Sequence, residues 1–121
     1  MSVQNKIAAR AKRKRRVRKK IHGTADRPRM TVFKSNKHIY VQVVDDDRGA
    51  TLASASSLTG ALKDAVKGLK KKDAASKIGE AAAAACKDAN ISQVVFDRNG
   101  YPYTGRVAAV ADGVRAGGIE L

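Results

Sequence analysis

The chain has 121 residues, 25 of them Lys or Arg and 11 Asp or Glu, for a net charge of +14. Its single Cys excludes a disulfide framework and a thiolate metal cluster, and two Phe, three Tyr and no Trp leave a modest core of Ala, Val, Ile and Leu. No apolar run approaches the ~20 residues that cross a bilayer, and the start lacks the apolar region of a secretory signal.

Residues 1–29 carry most of the charge. Lys6, Arg10, Lys12, Arg13, Lys14, Arg15, Arg16, Arg18, Lys19, Lys20, Arg27 and Arg29 face one anion, Asp26, so this arm holds +11 of the total and residues 30–121 only +3. Cations this dense repel one another until counter-charge comes close, and a phosphate chain supplies it with release of condensed ions. Val3, Ile7 and Ala11 fall four apart, so a helix is possible, but the stripe is thin and lapses at Lys14. The expectation is an arm that is frayed when free and helical on phosphates. An Arg-rich, acid-poor start also suits a mitochondrial targeting helix, but such a segment keeps a clear apolar face and Ser-rich spacing. A solvated tail or a localisation signal is the plainer alternative.

Thr24 to Arg29, with Asp26 and Pro28, reads as the hinge to a single α/β domain over 30–121. Met30–Ser35 is a β-rich run, and His38–Asp45 alternates, with Ile39, Val41 and Val43 on one face and His38, Tyr40, Gln42 and Val44 on the other. Ser35, Asn36 and Lys37 between them predict a hairpin. The Asp45–Gly49 run makes a second turn before a third strand, Ala50–Ser56.

From Ser57 the period becomes helical. Leu58, Leu62, Val66 and Leu69 mark one helix, and Asp73 is placed to cap a second that runs to about Ala89. Asp73 and Lys77 stand in the favourable acid-first i,i+4 order. Cys86, beside five consecutive alanines, suits a small buried thiol in a reducing, cytosolic setting. Gln93–Phe96 is a short strand, parallel to its neighbour because a helix precedes it. Asp97–Tyr103 is a loop turning at Asn99-Gly100, and Gly105–Ala116 a third helix stopped by Gly117 and Gly118. The fold class is α/β: a three-strand antiparallel meander plus a parallel strand, with packed helices behind a basic arm.

An enzyme would have to use the acids. Asp45, Asp46, Asp47 and Asp97 lie at strand ends, where carboxylates can hold two magnesium ions for phosphodiester cleavage, but the set lacks further inward-facing carboxylates. Turn chemistry accounts for the Asp run, and Asp97 is expected to pair with Arg98 or Arg106 or to cap the last helix. His22 and His38 lack ligands at metal spacing, and no Gly-rich loop opens a helix to cradle phosphate. No catalytic residue, metal ligand, cofactor or small-molecule substrate is assigned.

A binding role suits the residues better. Lys34, Ser35, Asn36 and Lys37 flank His38, Tyr40 and Gln42, and offer charge, hydrogen bonds and a stackable ring on one surface. Arg98, Tyr101, Tyr103 and Arg106, with Gly100 and Gly105, combine stacking, charge and close backbone approach. The plainer alternatives are an ordinary solvent face and a loop whose Tyr rings cover the core edge.

Three blocks, RPRMTVFKSNKHIYVQVVDD (27–46), TLASAS (51–56) and VVFDRNGYPYTGRVAAVADGVRAGGIEL (94–121), closely resemble the family of the bacterial large-subunit ribosomal protein numbered eighteen. The resemblance runs the whole chain and is least distinctive over 58–89. It implies a non-catalytic, cytoplasmic component of the central protuberance, with a fold related to ribonuclease H. Such a protein binds 5S ribosomal RNA beside the large-subunit protein numbered five and helps attach 5S to 23S ribosomal RNA, with no membrane partner. RNA contacts are then expected from the arm, from the Ser35–Gln42 hairpin and from the Arg98–Arg106 loop. A magnesium-dependent nuclease and a non-selective RNA chaperone are the alternatives.

Overall fold

The computed structural model describes residues 3–18, 21–35, 38–57 and 60–121. In chain order these form α1 (Val3–Arg18), β1 (Arg29–Lys34), β2 (Ile39–Asp45), β3 (Ala50–Ser56), α2 (Gly60–Val66), α3 (Lys71–Asp88), β4 (Val95–Asp97) and α4 (Gly105–Ala116). The four strands make one sheet in the order β3-β2-β1-β4. β1 and β2 pair antiparallel from Arg29↔Val44 to Lys34↔Ile39, β2 and β3 pair antiparallel with a bulge at Val43/Val44, and β4 runs parallel to β1. The meander and the parallel strand are therefore those the alternation and the intervening helices predict.

The period-2 pattern of β2 decides which face is core. Ile39, Val41 and Val43 are buried with Met30 and Val32 of β1, and Gln42 on the opposite face is exposed. α3 lays Ala75, Ile78, Ala82, Ala83 and Cys86 on this layer, a helical stripe of small residues that admits close approach. α4 contributes Val107, Val110, Ala111 and Val114 and crosses α3 at two glycines. A Cβ on Gly79 would stand 2.2 Å from the Val110 carbonyl oxygen, and one on Gly113 2.2 Å from that of Ser76, so both positions exclude a side chain. Burial among apolar neighbours pushes the Cys86 thiol pKa up, as expected of a packing cysteine.

The structure departs from the pattern-based boundaries in three places. α2 is shorter than the periodicity suggests: it closes at Val66 with a turn through Gly68, whose φ of +80° is glycine territory. Leu58 lies outside the described residues. α3 begins at Lys71, so Asp73 sits within the first turn instead of capping it, where its charge meets the helix dipole. Lys77 stands 3.8 Å from Glu80. The β4 pairing covers Val95–Asp97, while Gln93 makes an isolated parallel bridge to Glu120, so the C-terminal residues line the outer side of the segment before β4. Val94 N–H donates to Glu120 O and Glu120 N–H to Ser92 O, which ties the chain end down. Among the described residues no helix is long and apolar enough to cross a membrane.

Candidate RNA interface

The arm is helical over 16 residues and rests on the domain. Its apolar stripe is not the docking face, because Ile7 is 64% exposed. The contacts are polar. The Arg10 guanidinium lies 4.1 Å from the centre of the Tyr101 ring, and Arg13 Nε donates to Gly100 O at 2.9 Å. A cation over an aromatic face gains about 0.5–1 kcal/mol where water still reaches it, so the docking is modest and local.

The loop is shaped for this contact. Asp97 Oδ1 accepts the Asn99 N–H at 2.8 Å, and Asn99 and Gly100 follow with φ of 54° and 75°. Asn tolerates that left-handed region and Gly occupies it without strain. A Cβ on Gly100 would come within 2.6 Å of Arg10 O, so the glycine also lets the helix approach.

Tyr101 joins the loop to the hairpin as well. Its hydroxyl lies 3.3 Å from Lys34 O and 3.4 Å from Lys34 N, and Lys34 Nζ lies 5.1 Å from the ring centre. Arg98 Nη1 donates to Tyr101 O at 3.3 Å, and Arg106 Nη1 to Ser35 O at 2.8 Å. At the hairpin end, Ser35 N–H donates to His38 O and His38 N–H to Ser35 Oγ. Thus Arg10 and Lys34 meet at one ring, and Arg13, Arg98 and Arg106 are bonded to backbone oxygens of the adjoining loop and hairpin, so cations from three separate stretches gather here. Burial, then Arg106 and Arg10 nearby, pulls the Lys34 pKa below its ordinary value. Like charge gathered this closely favours an incoming anion.

The remaining cations of the arm divide by helix face. Lys6, Lys12, Arg15 and Arg16 are exposed with Arg13, while Arg10 and Lys14 are half-buried toward the loop. Arg15 and Arg16 also lie near the C-terminal end of α1, where the helix dipole favours positive charge. Tyr40 and exposed Gln42 stand on the sheet face away from the core, where Tyr40 pairs across from Phe33 and Gln42 from Thr31. Tyr103 packs edge-on against Phe96, with centroids 5.9 Å apart, and its hydroxyl accepts from Arg115 at 3.3 Å. It covers a core edge while staying 43% exposed. Lys19, Lys20, Asn36 and Lys37 lie outside the described residues, as does the side chain of Arg18.

Arg27 and Arg29 turn inward at the root of the arm. Arg27 Nε donates to Val94 O at 3.3 Å. Arg29 meets Asp46 with two parallel bonds, Nε to Oδ2 at 2.9 Å and Nη2 to Oδ1 at 3.0 Å, and gives Nη1 to Asp97 Oδ2 at 2.8 Å. The fork geometry is that of a strong guanidinium–carboxylate pair, and it holds the Asp46 carboxyl down at a pKa of about 2. Asp46 also accepts the Gly23 N–H at 2.7 Å, and Gly23 O accepts the Asp46 N–H at 3.0 Å. Gly23 is required there, since a Cβ would lie 2.4 Å from Arg29 N. One residue earlier, His22 Nε2 lies 2.7 Å from Asp47 Oδ1, which raises the imidazole pKa.

The acids are therefore engaged in holding the fold. Asp97 pairs with Arg29, not with Arg98 or Arg106 as expected, because the parallel β1–β4 register sets Arg29 beside Val95 and Thr31 beside Asp97. Asp45 Oδ1 accepts the N–H groups of Asp47 and Arg48 at 3.0 and 3.3 Å, which is turn chemistry. Among the described residues, no three His, Cys, Asp or Glu side chains come together to hold a metal ion. Sequence reasoning missed the part played by Asp46 and Gly23, for which the only signal was the Asp run after β2.

The profile described as ribosomal L18 of archaea, bacteria, mitochondria and chloroplasts matches residues 4–121. The large ribosomal subunit protein uL18 of Myxococcus xanthus is 59% identical over 116 residues, covering 96% of this chain and 98% of that protein. The protein of the same name from Bacteroides thetaiotaomicron is 57% identical, covering 96% of this chain and 97% of its own. That of Lactobacillus acidophilus is 50% identical over 121 residues, covering 100% of this chain and 99% of its own. The chain belongs to the ribosomal L18 family, whose members are structural proteins of the ribosome and not enzymes.

Proposed function

We propose that the protein binds 5S ribosomal RNA within the large subunit, in the cytoplasm, and helps attach it to 23S ribosomal RNA in the central protuberance. The neighbouring large-subunit protein numbered five is its proposed protein partner. Residues 1–29 act as the basic arm and 30–121 as the α/β body that orients it. The observation that carries this reading is the meeting of arm, hairpin and loop at Tyr101, which gathers cations from three stretches. There, Lys6, Lys12, Arg13, Arg15 and Arg16 neutralise phosphates, joined by Lys34, Arg98 and Arg106 from the body. Gln42, Ser35 and His38 supply hydrogen bonds to sugar hydroxyls or base edges, and the 2′-hydroxyl gives preference for RNA over DNA. Tyr101 packs beneath the surface and holds its cations in place.

A competition titration tests this. Intact protein on labelled 5S RNA is challenged with transfer RNA and with random RNA of similar size, at low and physiological salt. The expected result is a 5S preference that persists at physiological salt, because the body holds its cations in a fixed array. A preference that vanishes with salt would leave only a polycation on a carrier and overturn the reading.

A further inference from the structure

On the helix side of the hairpin, a cleft of about 110 Å³ opens between the start of β2, the end of β3 and the first half of α3. Ile39, Ala75 and Ile78 close its base and are almost wholly buried, so the apolar surface it offers comes from Val66, Leu69 and Ala74. Val66 and Leu69 form a wall, and Leu69 remains 41% exposed, high for a large apolar side chain. The rim is of opposite character, with His38, Ser57, Lys71 and Arg106. Ser57 Oγ is already occupied, accepting the Ile39 N–H at 3.2 Å and lying 3.2 Å from His38 Nδ1. Beyond the rim the surface is basic, with exposed Lys63, Lys67, Lys70 and Lys72 against Asp64 and Asp73, and with Lys77 paired to Glu80.

The chemistry of the cleft narrows its occupant. The volume far exceeds the about 10–15 Å³ that admits a water, but an apolar lining offers water few of the two to four partners it needs. A flat, largely apolar ring fits such a lining, and a negative charge attached to it fits the rim. An acidic peptide would satisfy the lysines and leave the exposed Leu69 side chain in water. A base within a helix cannot enter, so the ring must come from an unstacked nucleotide. We propose that this cleft is a second RNA site that takes one unstacked nucleotide, with the base against Val66, Leu69 and Ala74 and the phosphate beside Lys71. The His38 ring lies at the mouth, where it can stack on the base. This rests on the RNA-binding reading above and extends it past the hairpin end, where His38 and Arg106 border both surfaces.

The test uses the full chain with labelled Ile, Leu, Val and Ala methyls, titrated by NMR with a short single-stranded oligouridylate. The Val66, Leu69, Ala75 and Ile78 methyls are expected to shift together and saturate, and inorganic phosphate alone to leave them in place. Ala74→Leu, which fills the cleft from α3, should weaken this response at least about fivefold, the lower end of what one stacked base contributes. Lys71→Gln, an exposed change, should weaken it while leaving the arm methyls of Ile7 and Ala8 responding as before. Shifts confined to the arm would overturn the cleft and leave the RNA-binding reading standing. No shift at either place would overturn both. Equal shifts with polyglutamate or with phosphate alone would make this a general anion site and overturn the nucleotide assignment.

Discussion

Arg29 and Asp46 show how a single register position sets a residue's job. A guanidinium in a basic arm invites a phosphate contact, but β1 begins at Arg29 and turns it toward two carboxylates. Asp46 ionises far more readily in the fold than in the unfolded chain, so its stabilisation is present above the ordinary carboxylate range, near pH 4, and is lost as pH falls through about 2. At about 1.4 kcal/mol per pKa unit, and allowing for partial solvent screening, Asp46→Asn should cost about 1–2 kcal/mol at neutral pH. Urea unfolding of variant and parent should converge as the pH approaches 2, whereas a difference that persisted in acid would remove the ion pair as its cause. His22 runs the other way. Its pKa is raised, chiefly by the bond to Asp47, so the clamp is complete below the ordinary imidazole value and is lost as pH rises through the raised one. Imidazole resonances should titrate above pH 6.5 in the parent and move back toward it in Asp47→Asn.

At the scale of elements, α1 is the informative case. Considered alone it is a poor helix for burial, with cations on every side and an exposed Ile7. Its order comes from a partner that no local pattern encodes: the Tyr101 ring and Gly100 carbonyl, roughly 90 residues away in the chain. Tyr101→Ala should therefore release the arm, seen as a fall in helical circular dichroism without loss of the cooperative unfolding of the body. Tyr101→Phe keeps the ring and should retain most of that signal. The α3–α4 crossing makes an opposite demand, for absence of side chains. Gly79→Ala or Gly113→Ala improves helix propensity yet forces a methyl against a carbonyl oxygen, and should lower stability by about 1–3 kcal/mol. Thermal melts that rose instead would show that the helices can separate freely.

For the whole molecule, the charge asymmetry becomes an orientation. The body holds the root of the arm through Gly23, His22 and Arg29, and holds its middle through Tyr101, so the exposed cations of α1 face outward from a fixed base. Removing residues 1–29 should flatten the salt dependence of RNA binding by about 0.7–0.9 in log–log slope for each phosphate that the arm neutralises. An unchanged slope would take the arm out of the interface.

Much of this protein is legible in its residues taken in order. Alternation in β2 assigns the core face, and the apolar spacing of 75–86 and 107–114 assigns the helices, because periodicity is a local property that burial later obeys. The asymmetry of charge and the three matching blocks point to RNA and to the family in the same way. What the sequence could not supply is which cations are spent inside the fold. Arg27 and Arg29 turn inward, Arg10 docks the arm, and Lys12, Arg15 and Arg16 stay exposed, though all six lie in one basic stretch. Those roles depend on contacts between residues that are tens of positions apart, set by strand register and by where a loop brings one ring, and only the tertiary structure decides them.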